Sequence, residues 1–292
     1  MINYISALNF TNQMRSRREF LIKSGLLMAG ACIAPSCVSA VTKEKSLNVG
    51  VQLYSFRDAM AKDAKGTLKR IADLGFKQIE SARSGKGHYY GLSATEIKKV
   101  CNDLGMTLSS GHVALDENFD KTLEEAVVSG QEYLICSSLP SKGQTVDNYK
   151  KVAEAFNDAG EKALKAGVKF GYHNHEYEFD TVNGQVLYDV LMDNTDPKYV
   201  HMELDLGWVV MAGKDPLDYF EKYTGRFPLW HLKDMDLTKK HSVEFGKGAL
   251  DIPTMLKNQK KSGLKYMYVE QEEYAVNPFE SMKHNMDFLR QL

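Results

Sequence analysis

The 292-residue chain has little that would tie it to a polyanion, a disulfide framework or a membrane. Its 37 lysines and arginines nearly cancel its 38 aspartates and glutamates, leaving a net charge of −1 with no long basic run. The overall field does not favour a phosphate backbone, so no nucleic-acid partner is expected. Cysteine is scarce: there are four, two of them in the first forty residues, and no CxxC. A disulfide framework is therefore not expected, and Cys101 and Cys136, inside predicted elements, read as buried thiols. The apolar stretch SGLLMAGACIAPSCVSA is too short and too rich in Gly, Ala and Ser for a membrane span of about 20 residues. No glycine-rich turn follows the first β-rich run, which weakens a doubly wound dinucleotide-binding fold. No low-complexity linker divides the chain. With 43% hydrophobic and 26% charged residues, a soluble globular core is what the composition supports.

The N-terminus reads as an address. SRREFLIK, residues 16–23, places Arg17 and Arg18 just before that small-residue apolar stretch. The pattern resembles a twin-arginine export signal, which implies a periplasmic or exported protein, carried folded and often with its cofactor already loaded. VSA at 38–40 suits a cleavage site; Cys32 or Cys37 offers lipid anchoring instead. Residues 1–42 are assigned to this signal and 43–292 to the folded domain.

From residue 45 the chain alternates between β-rich runs and helical patterns. The β-rich runs lie near 47–54, 76–81, 106–112, 132–137, 168–175, 199–206, 227–232 and 265–271. Val146, Tyr149, Val152, Phe156, Ala159 and Ala163 recur at three and four, which predicts a helix ending on Gly167. SATEIKKVCNDLG opens on Ser93 with Glu96 three residues later and closes on Gly105, a capped helix. Strand–helix alternation means a parallel sheet with helices outside. Eight such units in about 250 residues predict an α/β fold of one domain, a single (β/α)8 TIM barrel.

Alternation along the strands then sorts the faces. In YVHMELDLGW, Met202, Leu204 and Leu206 share one face, and His201, Glu203 and Asp205 the other. Likewise Gln52 and Tyr54, Glu80, Ser110 and His112, His173 and His175, His231 and Lys233, and Glu270 and Glu272 fall on polar faces. In a barrel these point to the axis, and left unpaired there each would cost several kcal/mol, roughly. His173, Asp205, His231 and Glu270 lie at the C-terminal ends of four successive strands, where barrel active sites sit. Two nitrogens and two carboxylates suit one borderline divalent ion: Mn, Co, Zn or Fe. His175, or Glu178 on the next loop, is an alternative to His173 as ligand. Glu203 and Glu272 read as supporting partners or proton carriers. Lys233 is placed to bind substrate oxygens or to pair with Asp234 or Glu203. Gln52, Tyr54, Glu80, His112 and His175 are the expected substrate contacts, with Tyr89 or Tyr90 of loop 84–93 available to stack on a sugar ring.

ELDLGWVVMAGKDP, WHLKD followed by FGKGALDIPTML, and YVEQE resemble the xylose isomerase-like TIM-barrel family, over about residues 47–290. Its members include sugar phosphate isomerases/epimerases, inosose dehydratase and ketose 3-epimerases. The resemblance implies one divalent metal held by Glu, Asp, His and Glu from the last four strands. Asp205, His231 and Glu270 match the last three, and His173 stands where many epimerases have glutamate. Those epimerases use their two glutamates as an acid/base pair, so the histidine makes a symmetrical two-carboxylate mechanism doubtful and brings the chain nearer the inosose dehydratase-like branch. The endonuclease branch of this fold needs extra histidines; Trp208 stands where one of them would be.

The expected activity is removal of a proton next to the carbonyl of a sugar or keto-sugar, with Glu270 or His173 as base and Lys233 and Glu203 in support. Return of the proton elsewhere gives an isomerase or epimerase. Loss of a β-substituent gives a lyase or dehydratase from the same first step. A non-catalytic exported carbohydrate-binding protein is the rival of another class. The expected partner is a small sugar or polyol; the sequence does not set the oligomeric state.

Overall fold

A computed structural model describes residues 48–292. The expected export signal, with Cys32 and Cys37, lies outside the described residues. The barrel strands are β1 (Gly50–Gln52), β2 (Gln78–Ser81), β3 (Thr107–Val113), β4 (Tyr133–Cys136), β5 (Lys169–His173), β6 (Val200–Asp205), β7 (Leu229–Leu232) and β8 (Tyr266–Val269). Each pairs in parallel with its neighbours in chain order, and β8 pairs with β1 to close the ring. The main helices that follow the strands are α1 (Ala64–Asp73), α2 (Ala94–Asp103), α3 (Phe119–Ser129), α4 (Val146–Lys165), α5 (Leu187–Asn194), α6 (Pro216–Lys222), α7 (Ile252–Lys257) and α8 (Pro278–Arg290), with shorter helices at Arg57–Lys62, Leu206–Met211 and Gln259–Ser262 in the same connections. The fold is the expected (β/α)8 TIM barrel. Apart from β3, the strands are shorter than the β-rich runs.

Local chemistry places the helices. Ser93 Oγ accepts the Glu96 N–H while Glu96 Oε2 accepts the Ser93 N–H, a complete capping box at α2. In α4 the side chains of Tyr149, Val152, Phe156, Ala159 and Ala163 bury on the barrel, the stripe that the spacing predicts. Outward residues of the strands meet such stripes. Trp230 of β7 stacks on Phe220 of α6 at 4.9 Å and 3° between ring planes, a contact worth about 0.5–1.5 kcal/mol beyond area burial. Cys101 and Cys136 are buried free thiols.

The axis is layered. Its lower part is an apolar plug of Tyr133, Ile135, Leu229 and Tyr268, with the Tyr268 hydroxyl bonded to Ser109 Oγ at 2.8 Å. Polar and ionisable side chains begin above the plug, as the alternation requires. Loops at the upper end are pinned from within. Asp234 accepts the N–H groups of Met235, Gly246, Gly248 and Leu250, each at 3.0 Å, so one buried carboxylate ties down the segment after β7. A Cβ on Gly248 would lie 2.2 Å from Asp234 Oδ1, so only glycine lets the backbone close on it. Two short hairpins, Thr181–Val182 with Gln185–Val186 and Asp234–Asp236 with His241–Val243, were not expected from the sequence. Among the described residues no helix is long and apolar enough to cross a membrane.

Candidate active site and metal centre

The site begins at Glu80, at a register shift in β2. Its carboxylate accepts Gln52 Nε2–H at 2.9 Å and Ser110 Oγ–H at 2.6 Å, and His231 Nε2 lies 2.6 Å from Oε2. A carboxylate receiving two other donors is the acceptor, so Nε2 carries a proton and Nδ1 is the ring nitrogen that faces the remaining donors. That Nδ1 lies 2.9 Å from Glu270 Oε2, 3.1 Å from His173 Nε2 and 3.7 Å from Asp205 Oδ2.

Asp205 divides its two oxygens between fold and site. Oδ1 accepts the Trp208 N–H at 2.9 Å and caps the short helix Leu206–Met211, while buried Oδ2 receives no well-aligned hydrogen bond. Asn174 fixes the strand around it: its Oδ1 accepts the Asp205 N–H at 3.0 Å, where β5 has just left the sheet. Lys233 fills the gap between the acids. Its Nζ is 3.0 Å from Asp205 Oδ2, 2.8 Å from Glu270 Oε2 and 2.8 Å from Glu272 Oε1, and 4.7 Å from the centre of the Trp208 ring. Gly207 permits this: a Cβ there would meet the Lys233 carbonyl oxygen at 2.7 Å and its Cγ at 2.9 Å.

Three acids, Asp205, Glu270 and Glu272, thus surround Lys233, while Glu80 and Glu203 lie against His231 and His112. Burial raises Asp205 and Glu270, but Lys233 together with the neighbouring histidines outweighs it, and both are held well below the usual carboxylate range. Burial, with the charges of Glu270 and Asp205 behind it, pushes Glu203 up to about 7; burial and Glu203 push Glu80 up. For His231 burial works downward, yet Glu203 and Glu270 outweigh it and hold the imidazole well above the ordinary histidine range. Burial and the neighbouring His231 hold His173 well below that range. Burial takes His112 and His175 down to about 4.

A divalent cation fits this donor set. One donor atom from each of His173, Asp205, His231 and Glu270 lies within 4.8 Å of the other three. His231 Nδ1 lies beside two carboxylates, and Asp205 Oδ2 has the charge of Lys233 at 3.0 Å but no aligned hydrogen bond, so both can turn to a cation. His112, His173, Glu203 and His231 meet the same spacing. That grouping is less suited, because His112 Nε2 and Glu203 Oε2 satisfy each other at 2.8 Å and His231 Nε2 serves Glu80.

Above these groups lies a cavity of ≈ 240 Å³ lined by Tyr54, His112, His173, His175, Trp208, Lys233, Glu270 and Glu272, among others. The sequence-predicted residues therefore separate. Tyr54, His112, His173, His175, Lys233 and Glu270 meet at the cavity. Gln52 and Glu80 do not line it; they bond to each other, and Glu80 meets His231 Nε2. Glu203 is fully buried behind His112. Lys233 pairs with Asp205, Glu270 and Glu272 rather than with Asp234, whose oxygens serve backbone amides. Tyr89 is not on the cavity either: its hydroxyl is anchored to Gln131 Oε1 at 2.7 Å beneath its own loop, and Tyr90 is buried with it. Glu178, the other candidate ligand, has its oxygens engaged by Tyr172 Oη–H and by the His175 N–H (2.9 Å). Sequence reasoning missed Arg83 and Ser137 on the cavity wall, because both follow strand ends in loops without periodicity.

A closed (β/α)8 barrel with imidazoles, carboxylates and a lysine at its C-terminal mouth belongs to the class of barrels that carry polar chemistry there. Residues 68–292 match the xylose isomerase-like TIM barrel family, and the chain belongs to it. It is 29% identical over 156 residues to an inosose dehydratase of Bacillus cereus (strain AH820), 47% of this chain and 52% of that protein. The chain thus spans about half the length of the curated relatives it matches. It is similar to a sugar phosphate isomerase/epimerase from Parabacteroides distasonis ATCC 8503, with TM-score 0.74 and 28% identity over 88% of this chain and 98% of that one. It shares its fold with IOLI, a protein described with a binding zinc atom, at TM-score 0.68 and 14% identity over 84% of this chain and 97% of that one.

Proposed function

We propose that this protein is a metal-dependent enzyme acting on a sugar or keto-sugar by proton abstraction next to a carbonyl, as an isomerase or epimerase. The observation that carries this is the convergence of His173, Asp205, His231 and Glu270 on the floor of a small polar cavity. When bound, a divalent ion supplies Lewis-acid polarisation of a carbonyl oxygen. The chain's own residues supply the rest. Glu270 and His173 reach the cavity from different strands and stand as the candidate bases. Lys233 presents an ammonium where negative charge develops on a substrate oxygen. Glu203 fixes the ring of His112, which is neutral and offers a hydrogen bond to a hydroxyl. The metal is one divalent ion among Mn, Co, Zn and Fe; the zinc described for IOLI is in keeping with that set.

A lyase or dehydratase is the second reading. His173 in place of a second glutamate breaks the symmetry of a proton-return pair, and neutral His175 with Lys233 can assist a leaving group. The name of the Bacillus relatives points the same way. The test is incubation in D2O with ketoses and keto-inositols, with and without each metal. Metal-dependent deuterium uptake next to the carbonyl supports the reading, and the product mass then separates rearrangement from loss of water. Tight sugar binding without exchange under any metal would overturn it in favour of a non-catalytic binding protein.

Export through the twin-arginine route is likewise proposed, on the strength of Arg17 and Arg18 before the small-residue stretch.

A further inference from the structure

The catalytic cavity is not the largest beside the barrel mouth. A groove of ≈ 770 Å³ runs outward between the loop after β2 and the start of α3, and Arg83 lines both it and the cavity. The two spaces therefore meet at one side chain. Binding sites for drug-sized ligands occupy about 300–1,000 Å³. The ≈ 240 Å³ cavity falls below that range and suits a single ring, whereas the groove falls well inside it.

The walls of the groove are preformed. Ser84 and Gly87 exchange backbone hydrogen bonds at 3.2 and 3.1 Å, and Lys86 Nζ is anchored to the Ala61 carbonyl at 2.6 Å. Tyr89, anchored to Gln131, lies along its base. A wall already ordered spends no binding energy on ordering. Its charge is balanced: Arg83, Lys86 and Lys121 line it together with Asp116, Glu124 and Glu125. Such a surface does not select a phosphate or an acid, and it offers donors and acceptors to a neutral polar group. His88, on the same wall, is held by Thr122 Oγ1, 3.3 Å from its Nε2.

We propose that the groove is a second subsite for a neutral, hydroxyl-rich ring, so that the substrate is a glycoside or disaccharide with its reacting ring in the cavity and its second ring past Arg83. The proposal rests on the reading of the cavity as a sugar site and goes beyond it in naming a larger substrate.

The test is calorimetric titration of the protein with ring-matched sugars: D-fructose against lactulose and turanose, and D-glucose against cellobiose and maltose. At least one disaccharide should bind about tenfold tighter than its monosaccharide. Lys121→Trp and Asn118→Trp, both at exposed positions on the groove wall, should abolish that gain and leave the monosaccharide Kd within about twofold. Circular dichroism checks that each variant is folded, and either one alone suffices. Equal affinity for one and two rings, or a gain that survives both tryptophans, would overturn the groove alone. Failure of every sugar to bind would overturn the groove together with the reading of the cavity.

Discussion

Glu80 and His231 form a 2.6 Å contact between opposite parts of the barrel wall, and it fixes which imidazole nitrogen faces the metal-type donors. Glu80→Gln keeps the side-chain volume but can meet Nε2 with either its oxygen or its NH2. The tautomer is then no longer dictated. Substitution of such an outer partner costs about 10–100-fold in metal affinity. Titration with a competing chelator should show a loss in that range, with the circular dichroism spectrum unchanged. Unaltered affinity would mean that Glu80 does not set the orientation of His231.

The pH dependence of metal binding follows from the same imidazole. The carboxylates around His231 hold its proton to a pH above the ordinary value of roughly 6.5. A metal on Nδ1 must displace that proton. Affinity should therefore rise with pH through the neutral range and fall as pH drops, by up to about tenfold per pH unit for one displaced proton. His173, held low, is already neutral there and adds nothing to the slope. Measured Kd values between pH 6 and 9 that do not vary would exclude His231 Nδ1 as a ligand.

Much of this was legible in the sequence, for reasons of period. A residue spacing of two along a strand assigns faces whatever the neighbours, so His173, Asp205, His231 and Glu270 could be aligned across strands before their contacts were known. Depth was not legible. Gln52 and Glu80 have the same facing as His112, yet a register shift falls just before Glu80, Gln52 pairs with it across β1 and β2, and Glu80 meets His231 Nε2. Partners were not legible either. Lys233 could have reached several acids, and the backbone amides around Asp234 decided the matter by occupying that carboxylate. Tyr89 looked free because its anchor, Gln131, is 42 residues away.

Glu270→Gln keeps the volume and removes the charge that Lys233 and His231 both use. Turnover should fall below detection with the thermal midpoint little changed. Lys233→Met removes the ammonium and leaves Asp205 and Glu270 facing each other, so substrate affinity should weaken more than metal affinity. Equal loss of both would place Lys233 in the support of the metal. An active Glu270→Gln enzyme would remove Glu270 as the base.

Export is tested independently of the barrel. Replacing Arg17 and Arg18 by lysine keeps the charge but not the paired guanidinium groups of the motif. The precursor should then accumulate inside the cell, read by fractionation and immunoblot. Unchanged secretion would refute the twin-arginine route.

His173 and His175 lie two residues apart and do different work. His173 ends β5 and is buried, with Nε2 3.1 Å from His231 Nδ1. His175 stands beyond the strand, its ring centre 5.0 Å from that of His173 and its face stacked on Tyr177 at 8°. The Asn174 side chain between them grips the β6 backbone on the outer face, which is why both imidazoles face the axis one layer apart. His173→Ala and Asp205→Asn should each lose the metal. His175→Ala should retain it and lose activity, because it lines the cavity without approaching the other donors. Full metal occupancy in His173→Ala would sink the assignment and leave both histidines as substrate contacts; metal loss in His175→Ala would move the ligand one layer toward the rim.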